Sequence, residues 1–336
     1  MIESRSIDGG QPSIDPSQFA ELHCHSYFSL LDGASSPEAL AARARALGMT
    51  ALALTDHDSL AGVVRFQQAA RSADLQAILG AEITLDDGGH LTLLAATQAG
   101  YANLSRLVTA ARLDQMPTPP SDDPAAWPGK ISPGLSWTRL AELNDGVIAL
   151  SGCRQGPVAV PLLAGDGATA QQVAGRLRDI FDDGRCYVEV QHHQRPDDDR
   201  LNQRLIELAR RLQLPLAATG NVHYATQAES RLRDALIAIR HNESLTQARR
   251  AGRLPLNSNY ALSAPAVVAQ RFQHAPDAVM NTLAIAERCQ AVIDFSDRRL
   301  PAFATPDASS EFAYLYQLCH KNLPRRYPDL TPAVLS

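Results

Sequence analysis

A chain of 336 residues accommodates one large barrel-type domain or two smaller ones, and 45% apolar with 20% charged residues gives it a sizeable core. The formal net charge of -5 excludes a simple basic nucleic-acid-binding surface, so any DNA contact has to use a local patch or a neighbouring domain. No apolar run reaches the ~18 residues needed to span a bilayer. Five cysteines (Cys24, Cys153, Cys186, Cys289, Cys319) without a C-x-x-C pair fit a reducing compartment, the cytoplasm, better than a disulfide scaffold.

Residues 1–18 are polar, lack the apolar core of a signal peptide and read as a flexible leader. AELHCHS then reads as a first strand. Ser36-Pro37-Glu38 offers a cap, a proline at the first helical position and an early acid, and the helix that follows ends at Gly48. A strand at TALALTDHD, a helix through VVRFQQAARSA, strands at QAILGAEITL and HLTLLAA and a helix at YANLSRLVTAARL come next. Residues 116–136, rich in Pro, Ser and Asp, read as a surface loop. The alternation then resumes: GVIALSG, a helix near QQVAGRLRDIF, CYVEVQHH, a helix at LNQRLIELARRL, and LPLAATGNVHY.

Repeated strand–helix units predict an α/β fold with a parallel sheet, either closed as a barrel or open and doubly wound. ALALT, VIALS and LPLAAT are apolar on both faces, as a helix-covered parallel sheet requires. From about Ser230 the chain becomes mainly helical, and 301–336 has proline-rich edges around a short helix.

The chemistry gathers at strand ends. His23 and His25 close the first strand, Asp56-His57-Asp58 the next, Glu82 lies in AEITL and His90 leads into LTLLAA. Cys153 follows VIALSG, His192 and His193 follow YVEV, and His223 follows LAAT. C-terminal ends of parallel strands converge on one mouth of a barrel, so these groups share a cleft suited to zinc, manganese or iron. His23 and His25, two apart on a strand, face the same side and can reach one metal. Taken singly, each group has an ordinary reading: exposed histidines on a strand edge, a polar turn at 56–58, a solvated strand end at Glu82, a small buried apolar Cys153, a solvent-facing His90. Their joint occurrence is what points to a site.

The runs ELHCHSYFSLLDG, ALALTDHDSLAGVVRF and GAEITL, followed in order by HLTLLAA, LSGCRQG, VEVQHH and ATGNVHYA, resemble the PHP (polymerase and histidinol phosphatase) domain. Their pattern is nearest that of the N-terminal part of bacterial C-family DNA polymerases, the DNA polymerase III alpha subunit and its error-prone branch. The resemblance covers essentially the whole chain beyond the leader. It implies a distorted (β/α)7 barrel with a mainly helical C-terminal extension. The barrel would span 19–228, the extension 229–300 would complete the domain, and 301–336 would begin the polymerase palm region. It further implies two or three divalent metal ions (Zn2+, Mn2+ or Fe2+) held by His23, His25, Asp32, His57, Glu82, His90, Cys153 and His223. His193 fits the pattern better than His192, and Asp56 orients its neighbours rather than binding metal.

One position departs. The family's aspartate two residues before the last histidine is Asn221 here, which offers a carbonyl oxygen but no charge and weakens one part of the set. The implied function is metal-dependent phosphoester hydrolysis. Its substrate would be a DNA 3′ end, as in a 3′-5′ proofreading exonuclease serving replication and repair, or a small phosphate ester. A polymerase domain and replication or repair proteins are the implied partners, and a membrane is not. The alternative is a metal-stabilised domain that supports a polymerase without turnover. No paired-aspartate polymerase motif is present, so a fragment, a split gene product or a free-standing accessory domain is expected. Arg154, beside Cys153, is a candidate phosphate clamp, with a solvated loop arginine as its ordinary reading. An amidohydrolase-type metalloenzyme would need a metal-bridging lysine at a strand end, and Lys130 lies in the predicted loop.

Overall fold

A computed structural model describes residues 18–115, 132–182, 184–296 and 302–327. Most of the predicted leader, the heart of the predicted 116–136 loop with Lys130, and residues 328–336 lie outside these. Residues up to Ile293 make one compact unit and Asp294–Ser336 a second.

In the first unit, α1 (Pro37–Ala46) starts where the sequence signals it: Ser36 caps the Ala39 amide, Pro37 holds the first position, and Gly48 follows the helix at φ +84°. Then come β1 (Ala51–Leu54), α2 (Val63–Ser72), β2 (Gln76–Thr84), β3 (His90–Ala95) and α3 (Gln98–Leu113). The second half runs α4 (Trp137–Glu142), β4 (Val147–Leu150), α5 (Ala159–Ala164), α6 (Gly167–Ile180), β5 (Cys186–Gln191), α7 (Asp198–Leu212) and β6 (Leu216–Thr219). The helical continuation is α8 (Ser230–Arg240), α9 (Leu245–Arg250), α10 (Pro265–Arg271) and α11 (Pro276–Arg288). The described part of the second unit holds α12 (Glu311–Arg326). No described helix is long and apolar enough to cross a membrane.

The six strands pair in chain order, β1 to β6. The expected parallel sheet is mixed: β3 runs antiparallel to both β2 and β4. The reason is local. Only Leu85-Asp86-Asp87-Gly88-Gly89 separate β2 from β3, with Gly88 at φ +84°, too little chain for a parallel crossover. The expected first strand is two isolated bridges, Glu21 with Leu52 and Cys24 with Val222. The Glu21 carboxylate accepts the His23 amide at 3.0 Å and the Thr55 hydroxyl accepts the Cys24 amide at 2.9 Å. Side chains therefore take donors that a continuous ladder needs. The segment still spans the open side of the curled sheet, giving its 21 and 24 carbonyls to β1 and Thr55 and exchanging bonds of 2.7 and 2.8 Å with Val222.

Strand alternation divides the core in two. One set of side chains packs outward under the helices, among them Leu52, Leu54, Leu79, Leu93, Val147, Val188 and Ala218. The other points inward: Ala51, Ala53, Ile78, Leu94, Ile148, Leu150, Tyr187 and Ala217, sealed by Ile285, Ala286 and Cys289 at α11. Each fully buried Ile or Leu here contributes about 1.5–3 kcal/mol. Two to four residues further along β2, β3 and β5, the same inward rows turn polar, at Glu82, Thr92, His90 and Glu189, all but His90 fully buried. The interior is thus apolar at one end and carries the chemistry at the other.

Candidate metal centre

Six of the predicted residues meet. His23, His25 and Glu82 form one group whose ligand atoms all lie within 4.8 Å of one another; His57, Glu82 and His90 form a second; His25, His57 and His223 a third. β2 ends at this mouth with Glu82, and β3, being reversed, begins there with His90. The antiparallel strand therefore presents its first residue where its neighbours present their last.

Three of the imidazoles are aimed by a partner on the nitrogen turned away from the cluster, the usual support of a metal-binding histidine. His23 Nδ1 lies 2.7 Å from Glu189 Oε1, both side chains fully buried. Glu189 also accepts from the Thr219 hydroxyl and, at 2.7 Å, from Gln191. His25 Nδ1 lies 3.0 Å from Ser29 Oγ. That hydroxyl donates to Asp56 at 2.7 Å and accepts the His57 amide at 3.0 Å, so the imidazole is its second donor and His25 carries its lone pair on Nε2. His223 Nδ1 donates to the Asn221 carbonyl at 2.8 Å. Asp56 holds the amides and hydroxyls of both Ser26 and Ser29, in the orienting role. Asp58 instead clamps the end of β2 through the Thr84 amide and hydroxyl, each at 2.8 Å.

Glu82 is the hub. His23 Nε2 is 3.3 Å from its Oε1; His57 Nδ1 is 2.6 Å and His90 Nδ1 3.3 Å from its Oε2. Even so, neither oxygen accepts a hydrogen bond of proper geometry, and His90 Nδ1 is also without one. Buried polar atoms left unpaired cost about 1–3 kcal/mol each. Nitrogens and a carboxylate that crowd together without bonding are what a donor set shaped for a cation presents, so these residues fit a metal. Burial alone would raise the Glu82 carboxyl, but His57 and His90 hold it well below the usual carboxylate range. Burial would lower His57, yet Glu82 and Asp32 lift it to about 10.

Asp32 sits on the other flank, in a turn that only glycine can close: a Cβ on Gly33 would lie 1.9 Å from the Ser26 carbonyl oxygen. Asp32 Oδ2 is 3.3 Å from His57 Nε2 and Oδ1 is 3.6 Å from His223 Nε2. Cys153 is buried. Burial, followed by the negative charge of Glu82, pushes its thiol well above the usual range, so a thiolate there needs a cation beside it. His193 and Asn221 are not in the three groups. His193 stacks on Tyr260 at 4.1 Å and gives Nε2 to the Gly220 carbonyl, leaving Nδ1 without a partner. The Asn221 side-chain oxygen is likewise buried and unpaired. His192 pairs with Asp199 at 3.1 Å. Arg154 spends its terminal nitrogens on Asp197 and Asp198, at 2.5 and 3.2 Å.

Sequence reasoning missed Glu189, Ser29 and Arg233. Glu189 had a signal, an acid on the inward row of an otherwise apolar strand. Arg233 had none: it comes from α8 and places Nε and Nη2 at 3.0 and 2.9 Å from Asp32 Oδ1.

A family model, PHP domain, matches residues 21–193. An error-prone DNA polymerase of Symbiobacterium thermophilum is 44% identical over 319 residues, 94% of this chain and 29% of that protein. The DNA polymerase III subunit alpha of Treponema pallidum is 34% identical over 325 residues, 92% of this chain and 26% of its own length. The chain therefore spans less than a third of these relatives. Among solved structures, a two-domain protein of Bacteroides vulgatus containing a predicted PHP-like metal-dependent phosphoesterase aligns with 86% of this chain and 75% of its own. Its TM-score is 0.36 and its identity 13%.

Proposed function

The chain belongs to the PHP domain family, and from that premise we propose that its histidine–carboxylate cluster binds divalent metal ions and hydrolyses phosphoesters. The observation that carries this is Glu82, a buried carboxylate shared by two donor groups and bonded to none of the nitrogens around it. His23, His25, His57, Glu82, His90 and His223 would hold the ions, with Asp32 and Cys153 beside them. Bound zinc, manganese or iron would supply a hydroxide at neutral pH and polarise the phosphoryl oxygens.

The protein's own contribution is aim and access. Glu189, Ser29 and the Asn221 carbonyl fix three imidazoles so that each turns one nitrogen inward. His23, His25 and Glu82 are essentially inaccessible, whereas the side chains of His57, Asp32 and His90 are 23%, 13% and 17% exposed. Substrate would therefore approach across His57, Asp32 and His90. A DNA 3′ end is the proposed substrate because the relatives that match nearly all of this chain are DNA polymerases. The activity would then be a 3′-5′ exonuclease acting in replication and repair beside a polymerase domain, with a small phosphate ester as the other substrate class.

The test joins metal content by elemental analysis to cleavage of a 3′-labelled single strand with added Mn2+. Bound ions with cleavage that His57→Ala abolishes are the expected result; cleavage unchanged in pure His57→Ala overturns the hydrolytic reading. Asn221 favours a second reading, a metal-stabilised scaffold without turnover, because its neutral side chain leaves one flank without a second carboxylate. That reading gives bound metal and a higher melting temperature with no cleavage.

A further inference from the structure

Building on the metal-binding reading above, we infer that the Arg233 guanidinium stands on Asp32 in place of a third ion, so that the cluster holds two.

The first argument counts lone pairs. The three donor groups overlap: the third borrows His25 from the first and His57 from the second. A neutral imidazole has one lone pair and serves one cation. His25 offers Nε2, since Nδ1 is engaged with Ser29, and Nε2 stands 3.1 Å from His23 Nε2. His57 offers Nδ1, which is 2.6 Å from Glu82 Oε2. Its Nε2–H then falls to Asp32 Oδ2 at 3.3 Å. Glu82 divides accordingly, Oε1 facing His23 and Oε2 facing His57 and His90. Two ions satisfy two complete groups through one bridging carboxylate. The third group is left with His223 alone.

The second argument is electrostatic and independent. A third ion would need Asp32, and Asp32 already has its cation. Arg233 places two nitrogens within 3.0 Å of Oδ1, its side chain is 8% exposed, and it packs over the Tyr260 ring at 4.7 Å. Arg240 adds a second positive charge at 3.6 Å from Oδ2. Asn221, whose carbonyl holds the far nitrogen of His223, brings no negative charge. A divalent ion here would meet one compensated carboxylate and a fixed guanidinium, and repulsion between unit charges a few ångströms apart amounts to several kcal/mol at the effective dielectric of a partly buried site.

Equilibrium dialysis of the full chain against Mn2+, followed by elemental analysis, tests this without recourse to activity. Wild type is expected to hold two ions. Asp32→Asn, which keeps the shape and removes the charge, is expected to hold two as well. Arg233→Gln, which frees the carboxylate, is expected to approach three. Three ions in wild type, or a fall to one in Asp32→Asn, would overturn the inference while leaving metal binding intact; so would a folded Arg233→Gln that stays at two. Should Arg233→Gln fail to fold, wild type and Asp32→Asn still decide. No bound ion in wild type would instead bring down the metal-binding reading itself.

Discussion

The two flanks of the cluster are built in opposite ways. On the Glu82 flank the groups ride on or against the sheet: Glu82 on β2, His90 at the head of β3, and His23 and His25 on the segment bridging β1 to Val222. On the Asp32 flank they come from a turn and a helix, with Asp32 following Leu31 at φ +61° and facing two arginines of α8. The sheet side collects lone pairs that have no donor; the loop side arrives with its donors in place. One flank is arranged to receive cations and the other already has one. A cluster of ligand-type residues therefore says less about ion count than the partners each residue has taken.

The largest effect is expected where the comparison is sharpest. Glu82→Gln removes the shared negative charge from both complete groups and the oxygen ligand from one of them, so neither ion should be retained. For wild type, Mn2+ at about 100 times its dissociation constant should raise unfolding stability by about 2.7 kcal/mol for each ion bound, and a chelator should abolish the gain. In Glu82→Gln, denaturation curves with Mn2+ and with chelator should coincide. A full Mn2+ effect in that variant would move the centre of the site away from Glu82.

A smaller effect is expected one step out, at Glu189. Within the cluster it touches only His23, at the far nitrogen, from which it fixes the ring and leaves Nε2 for a metal. Removing such a support typically costs 10–100-fold in metal affinity, and Glu189→Ala should fall in that range. Glu189→Gln retains an acceptor for the imidazole N–H and should recover part of the loss. Titration calorimetry with Mn2+ reads both. Equal affinities in all three proteins would mean that Glu189 does not aim His23, leaving the ring to packing and to the Thr92 hydroxyl, 3.1 Å from the same nitrogen.

What could be read in advance divides along the same line. His23, His25, His57, Glu82 and His223 were legible because strand periodicity and strand ends send side chains to one face and one mouth. His90 was legible for a different reason than expected: it begins a reversed strand, which the short five-residue connection before it signalled. The first strand was over-read, because the period of two is there but Glu21 and Thr55 take its backbone donors. Arg154 was singled out for standing next to Cys153 in sequence, and the fold gives it to Asp197 and Asp198 instead. Arg233 was out of reach, since it meets Asp32 across 201 residues of chain. A helix phase carries no mark of which distant carboxylate an arginine will find.

The finest prediction separates the two arginines. Arg240 stands 3.6 Å from Asp32 Oδ2 but its side chain is 50% exposed, whereas that of Arg233 is 8% exposed and makes two close contacts with Oδ1. Half-exposed pairs gain little because water and salt screen the attraction and two long side chains must be ordered to make it. Arg240→Ala should therefore change stability by no more than ~0.5 kcal/mol in chemical denaturation, with the difference shrinking as salt is raised. The Mn2+ count should stay at two, since Arg233 still occupies Asp32. A loss above about 1 kcal/mol that persists in high salt would show that Arg240 closes on Asp32 in solution and is desolvated there. The loop flank would then carry two fixed cations rather than one.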